Sequence, residues 1–286
     1  RLPSQHLLPS TLSPRIKRIP VMTGKITTIN PTTGATLATY EGWDTAQIEK
    51  SVMDAHHAAR TWGMQPLQTR IDAVLKIANE LRQKKTSLAK LMTLEMGKPL
   101  REAEGEVEKS AVTAEYYAKN AEKLLADEPV HIDGVNAWVS YEPIGLVLAV
   151  MPWNFPLWQV MRFALPSLVA GNGILLKHSP NVTGSALAIE KLVVDAGLPA
   201  GLLTTMVVAE EDVPHAIERL IQDDRIAAVT LTGSNRAGAA VGTAAGRASK
   251  KSVLELGGSD AFIVLEDADV EAAATAAVKA RFHNAG

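Results

Sequence analysis

Four stretches of this chain carry side chains suited to chemistry. In Met151-Pro152-Trp153-Asn154-Phe155-Pro156, two prolines fix the path and leave Asn154 as the one polar side chain. An amide held there can donate to a developing oxyanion. Taken alone, a loop asparagine more often satisfies its own turn backbone. Lys177 opens Lys177-His178-Ser179-Pro180. An ammonium at that place can hydrogen-bond ribose hydroxyls or attract a phosphate, although a surface lysine is the plainer reading. His178 has no carboxylate or second histidine at ligand spacing and reads as structural or exposed. Thr232-Gly233-Ser234 puts small residues where a helix opens. Free N–H groups there suit a pyrophosphate, and serine is equally a common N-cap. Glu255 lies in Leu254-Glu255-Leu256-Gly257-Gly258. A carboxylate among apolar residues is desolvated and shifts toward general-base duty; an ion pair with Lys250 or Lys251 is the alternative.

Composition limits what these groups can serve. The chain has no cysteine, which excludes a disulfide framework and a thiolate metal site; no metal is expected. The formal net charge is -2, so no basic excess favours a nucleic-acid partner. No apolar run approaches the ~20 residues that span a bilayer, and no membrane partner is expected. Apolar residues at 47% and charged residues at 21% are ordinary for a globular protein with a full core.

The elements that must position these groups follow from periodicity. Ile26 to Tyr40 suggests two short strands around an Asn-Pro-x-x-Gly turn. Asp44 is a plausible N-cap for a helix to about Trp62, and Pro66 starts another carrying Ile71, Val74, Leu75, Ala78 and Leu81. A third helix with Leu88, Leu91, Met92 and Glu95 ends near Gly97, and a fourth spans Glu102 to Leu125, its charges read as a solvated face. Val130 to Glu142 alternates around Asp133-Gly134, as a β-hairpin does. From Gly145 the rhythm is strand, helix, strand. Strands are expected at Leu146–Met151, Gly173–Lys177, Leu203–Val208, Ala227–Leu231 and Ser252–Leu256, apolar on both faces. Helices are expected at Leu157–Ala170, Thr183–Ala196, Val213–Gln222 and Arg236–Ala248. The expectation is an α/β protein with a doubly wound parallel sheet, covered on both sides. Ligands in such folds sit beyond the carboxyl ends of the strands, where all four stretches fall.

In that order, MPWNFP, LKHSP, TLTGS and LELGG resemble the aldehyde dehydrogenase superfamily from about Thr27 to Gly286. The resemblance implies a Rossmann-like cofactor domain with N-terminal helices and a β-hairpin oligomerisation arm. It implies that Asn154 is the oxyanion-hole amide and Glu255 the general base for thioester hydrolysis. Lys177 would contact the adenosine ribose, with Ser179 and Pro180 beside it, and Gly233 and Ser234 the pyrophosphate. Met151, Pro152 and Trp153 would line the nicotinamide side, with Leu256 and Gly257 close by. The family mechanism uses a cysteine thiolate that attacks the aldehyde, loses a hydride to NAD or NADP and yields a thioester.

Within the superfamily, the run WNFPLWQVMRFALPSLVAGNGILLKHSPN is most similar to bacterial NAD(P)-accepting succinate-semialdehyde dehydrogenases. Those enzymes grip the substrate's distal carboxylate with an arginine, and Arg162, eight positions after Asn154, would be that residue; a helix-surface arginine in a solvent pair is the alternative. Many NAD-specific members have a glutamate three residues after the ribose lysine, where this chain has Pro180. That permits a 2′-phosphate without requiring one, while the acidic Glu210-Glu211-Asp212 nearby argues against a firm NADP preference. The expected partner is a small-molecule aldehyde, in a cytoplasmic homodimer or homotetramer.

Resemblance and composition together divide the chain into three. Residues 1–21, rich in proline and basic without acids, read as a leader, with a transit peptide as the alternative. Residues 22–257 form the NAD(P)-binding domain, including the hairpin arm 129–143. Residues 258–286 begin a catalytic domain. The family continues from Asn-x-Gly into Gln-x-Cys, whereas Asn284-Ala285-Gly286 is the last stretch here. A C-terminally truncated chain, inactive on its own for want of the nucleophile, is the expectation. A cysteine-less cofactor-binding or structural subunit is the rival. An unrelated dehydrogenase is disfavoured, because no Gly-x-Gly-x-x-Gly follows any strand.

Overall fold

The computed structural model describes residues 24–285. Two short antiparallel strands come first, β1 (Lys25–Ile29) and β2 (Thr36–Glu41), joined by a turn in which Asn30 Oδ1 accepts from the N–H of Thr32. Four helices follow: α1 (Thr45–Gly63), α2 (Leu67–Gln83), α3 (Lys85–Met96) and α4 (Leu100–Leu124). Asp44 caps α1 through a capping box with Gln47. Gly97, at φ 79°, ends α3 in the left-handed conformation. The hairpin of β3 (Glu128–Ile132) and β4 (Val135–Val139) lies almost wholly in solvent.

The remainder alternates: β5 (Leu146–Met151), α5 (Trp158–Val169), β6 (Gly173–His178), α6 (Thr183–Asp195), β7 (Leu203–Thr205), α7 (Val213–Gln222), β8 (Ile226–Thr232), α8 (Asn235–Arg247), β9 (Lys251–Glu255) and α9 (Val270–Arg281). The five later strands form one parallel sheet in the order β7-β6-β5-β8-β9. The chain builds outward from β5 through β6 to β7, then returns to β5's other side for β8 and β9. The strand order therefore reverses at β5, and β5 and β8 flank the crevice where a doubly wound sheet takes its ligand. One face is covered by α2 to α6 and the other by α1, α7 and α8, each with its own apolar core. No helix among the described residues is long and apolar enough to cross a membrane.

Two expectations about strands need correction. The strand expected at Leu203–Val208 ends at Thr205, because the carbonyl of Val207 turns away to accept from the N–H of Trp43. β9 is not apolar on both faces. As an edge strand beside β8 it only half-buries alternate residues, and Val253 and Glu255 are largely open. The expected leader, residues 1–21, lies outside the described residues.

The sheet's seating on α1 depends on a close approach at Gly173, where an added Cβ would fall 2.6 Å from Ala59 Cβ and 3.2 Å from Ala59 Cα. Gly173→Ala should therefore destabilise the fold by about 1–3 kcal/mol through overpacking. Urea unfolding checks this: a lower midpoint at constant slope is expected, and an unchanged midpoint would mean that α1 is not seated so tightly.

Candidate active site

The site is assembled at the carboxyl ends of β5, β6, β8 and β9. After β5 the chain runs through Pro152 to Pro156 into α5. Met151 belongs to the apolar core, so of the residues expected to line the nicotinamide side only Pro152 and Trp153 present side-chain surface. Asn154 is partly buried. Its Oδ1 is enclosed without a hydrogen-bond partner, and its Nδ2 bonds no described residue. A buried polar atom left unpaired costs stability and calls for a reason. That atom is the acceptor oxygen; the donor Nδ2 is not enclosed, so the amide can still donate to a ligand.

The loop around Asn154 is held from below by residues the sequence reading passed over. α5 has no local side-chain cap. Instead Glu106 Oε1, from α4, accepts from the N–H groups of Leu157 (2.9 Å) and Trp158 (2.8 Å). The other oxygen of Glu106 pairs with Lys98, and both side chains are fully buried. Lys98 Nζ also lies 3.8 Å from the centre of the Phe155 ring, a cation–π contact. Burial pushes the Lys98 ammonium down from its ordinary value, against the opposing pull of Glu106. α6 repeats the device. Glu95 of α3 accepts from the N–H groups of Gly184 and Ser185, each at 2.8 Å, and from Ser185 Oγ at 2.7 Å. Burial raises the Glu95 carboxyl, with the serine bonds working the other way.

At the end of β6, Lys177 is 7% exposed and makes no hydrogen bond or ion pair with a described residue. Burial lowers it to about 8, with nearby Glu210 opposing. A surface lysine it is not. The next residue is the loop's second anchor: His178 is buried, with Nε2 2.8 Å from the carbonyl of Pro156 and Nδ1 2.8 Å from the N–H of Ser179. The Ser179 N–H can only donate, so Nδ1 accepts and Nε2–H donates to Pro156. Ser179 Oγ is spent on Asn181, and Pro180 opens a single 3-10 turn into α6.

At β8, Gly233 does not offer a free N–H, because it donates to the carbonyl of Glu255 at 3.0 Å. Ser234 is the N-cap of α8, accepting from Ala237. What remains open is the helix start itself: the N–H groups of Asn235 and Arg236 find no partner among the described residues. They suit an anion. Gly257 donates to Asn235 Oδ1, and Leu256 lies so close to Gly238 that a Cβ there would meet it at 2.3 Å.

Glu255 departs from expectation. Its side chain is 56% exposed, so this chain does not desolvate it, and neither Lys250 nor Lys251 pairs with it. Its neighbour is Arg162 of α5, with Nη2 3.6 Å from Oε2. Arg162 is itself 39% exposed, which places the guanidinium and the carboxylate together at the mouth. Asn284 joins them from the far end of the chain, its Nδ2 donating to the carbonyl of Asn154 at 2.9 Å. The structure thus puts Arg162 beside Glu255, and places Asn154, Lys177 and the start of α8 after the carboxyl ends of strands of the same sheet.

A doubly wound parallel sheet with a buried lysine and an open helix start, both without partners among the described residues, at the carboxyl ends of its strands has the layout of a ligand-binding α/β fold. Residues 20–286 match the family model described as the aldehyde dehydrogenase family, and the chain belongs to that family. It is 46% identical over 258 residues to the NAD(P)+ succinate semialdehyde dehydrogenase Sad of Escherichia coli (strain K12), covering 90% of this chain and 55% of that protein. It is 46% identical over 261 residues to a probable NADP+ succinate-semialdehyde dehydrogenase of Synechocystis, covering 91% and 57%. The crystal structure of succinic semialdehyde dehydrogenase from Streptococcus pyogenes in complex with NADP+ superposes with a TM-score of 0.86 at 37% identity, over 91% of this chain and 57% of that one. The chain spans about half the length of the curated relatives it matches.

His178 supplies a pH test of how the loop is anchored. Burial holds its imidazole down at about 4, against 6.5 when free. Between those values the unfolded chain binds more protons than the folded one, so stability falls as pH drops through this window, by up to about 1.4 kcal/mol per pH unit. His178→Gln keeps a donor for Pro156 and should flatten that part of the dependence. Urea midpoints at pH 7 and pH 5 decide it; equal pH slopes in the two proteins would contradict the anchor.

Proposed function

We propose that these residues are the cofactor-binding half of an NAD(P)-dependent aldehyde dehydrogenase acting on succinate semialdehyde. The observation that carries the reading is the contact of Arg162 with Glu255 at the end of β9, on the same edge of the sheet as the loop after β5 that carries Asn154. Each has a distinct task in oxidising an aldehyde that ends in a carboxylate. The Asn154 amide donates to the carbonyl oxygen as negative charge builds on it. The Arg162 guanidinium holds the distal carboxylate and so fixes which end of the substrate faces Asn154. Glu255 takes a proton from the water that releases the acyl group as a carboxylate. Arg162 and Glu255 are weakly paired and half in water, so an incoming carboxylate can displace one from the other at small cost.

The residues fit NAD or NADP. Lys177 would meet the adenosine ribose and the start of α8 the pyrophosphate, with Pro152 and Trp153 toward the nicotinamide. When bound, the dinucleotide supplies a hydride acceptor. Pro180 leaves room for a 2′-phosphate, and Glu210 close to Lys177 disfavours a strict need for one; both cofactors are taken.

The nucleophile is a family cysteine outside these 286 residues, which contain none. A second reading is a cofactor-binding or structural subunit without catalysis. The first is preferred because Arg162 has no task in a subunit that binds only the dinucleotide. Residues 258–286 are the start of a catalytic domain, a reading supported by the exposed apolar side chains of Phe262, Ile263, Leu265, Val270 and Phe282. The hairpin arm, with Val130, Ile132, Val135 and Trp138 exposed, pairs with a second copy in a cytoplasmic homodimer or homotetramer.

Kinetics of the intact polypeptide test the assignment. Arg162→Ala should raise KM for succinate semialdehyde far more than for propanal, by an amount equivalent to about 1.5–3 kcal/mol for a lost hydrogen bond between charged groups. Equal effects on the two aldehydes would refute the role of Arg162.

A further inference from the structure

Two acids of α4, Glu102 and Glu106, stand one helical turn apart on the same face and reach the start of α5 and the segment at Asn284. Glu106 holds the first turn of α5, as described. Glu102 Oε2 accepts from the backbone N–H of Asn284 at 2.7 Å. Asn284 sits at φ 56° and ψ 46°, a left-handed conformation that asparagine tolerates better than most residues. Its side-chain amide then donates to the carbonyl of Asn154. The contacts close a ring. It runs from Asn154 along the chain to Leu157, across to Glu106, down one turn of α4 to Glu102, across to Asn284 and back to Asn154.

We propose that Lys98, Glu102 and Glu106 are positioning residues, using α4 as a ruler that sets the Asn154 amide against the segment at Asn284. The inference rests on the reading of Asn154 as the oxyanion donor. One turn of helix separates side-chain roots by only about 5–6 Å and does not stretch, so both arms are fixed against one rigid element. Lys98 sets the direction. By occupying one oxygen of Glu106 it leaves the other to face the two N–H groups of α5. A buried ion pair of this kind adds little net stability compared with apolar side chains of the same volume; what it adds here is one orientation of the carboxylate. Whatever follows Asn284 is delivered beside Asn154 from a fixed point, without depending on the exposed helix α9.

The ring can be cut at its more accessible arm without unfolding the protein, since Glu102 is only partly buried. Native-state amide exchange on this chain is the first measurement. Glu102→Ala should speed exchange at Asn284 by about tenfold or more, with the unfolding midpoint unchanged, as expected of a local opening. Glu102→Gln, which keeps an acceptor oxygen, should restore slow exchange. The double change Lys98→Met with Glu106→Gln removes both buried charges yet keeps an acceptor for α5; it should fold, and speed exchange at Leu157 and Trp158. Unchanged exchange at Asn284 in Glu102→Ala, or a rise matched by global destabilisation, would overturn the proposal. In the intact polypeptide, Glu102→Ala should lower kcat for the aldehyde by about tenfold while leaving dinucleotide Kd within about twofold, a split that general loosening does not produce. Equal kcat in both proteins overturns the positioning role. A complete lack of aldehyde turnover in the unsubstituted polypeptide defeats the proposed function instead, and exchange at Asn284 still decides the ring.

Discussion

The architecture depends on how two buried helix starts are satisfied. α5 and α6 both begin beneath the carboxyl end of the sheet, and neither has a local side-chain cap. Each such start presents N–H groups with no partner inside the helix, and burying them unpaired is costly. Two glutamates from the preceding helices supply the acceptors: Glu106 from α4 for α5, and Glu95 from α3 for α6. The N-terminal helices therefore do more than cover the sheet. They determine where α5 and α6 begin, and hence where the loops carrying Asn154 and Lys177 stand.

From this follows a division within the site. The floor is rigid: Lys98, Glu106 and His178 are buried and fully engaged, and they hold the loop from Pro152 to Pro156 at three points. The mouth is soft. Arg162 and Glu255 are half in water and share one long contact. A dinucleotide needs a preformed surface, whereas a small substrate exchanges water for protein contacts at each turnover. The rigid part lies where the first would bind and the soft part where the second would enter.

Much of this was legible in the sequence. The strand and helix rhythm after Gly145, the Asn-Pro-x-x-Gly turn, the hairpin and the Asp44 cap are all local patterns, and the structure follows them within three residues. The positions of Asn154, Lys177, Ser234 and Glu255 at strand ends were legible for the same reason. What was not legible depends on contacts distant in sequence. The charges of α4 read as a solvated face, yet Glu106 is buried because its partners lie 51 and 52 positions later, at Leu157 and Trp158. His178 read as unremarkable because its acceptor, the Pro156 carbonyl, is a backbone atom 22 positions away. One weak signal existed: Glu106 stands on a side of α4 whose other positions are mostly alanine. Glu255 was misjudged in the other direction. Its apolar neighbours in sequence, Leu254 and Leu256, both lie against α8 on the other face of an edge strand, so they do not enclose it.

The central claim is that the carboxyl ends of β5, β6 and β8 form a dinucleotide site centred on Lys177. Calorimetric titration of this chain with NADP+ and NAD+ tests it most directly. The account predicts saturable binding of one equivalent of either. Affinity should weaken as pH rises through about 8, where the buried Lys177 loses its charge, and should fall by about tenfold in Lys177→Met, as expected for a lost charged hydrogen bond. Binding that is unaltered in Lys177→Met, or no binding of either dinucleotide by the folded chain, would contradict it.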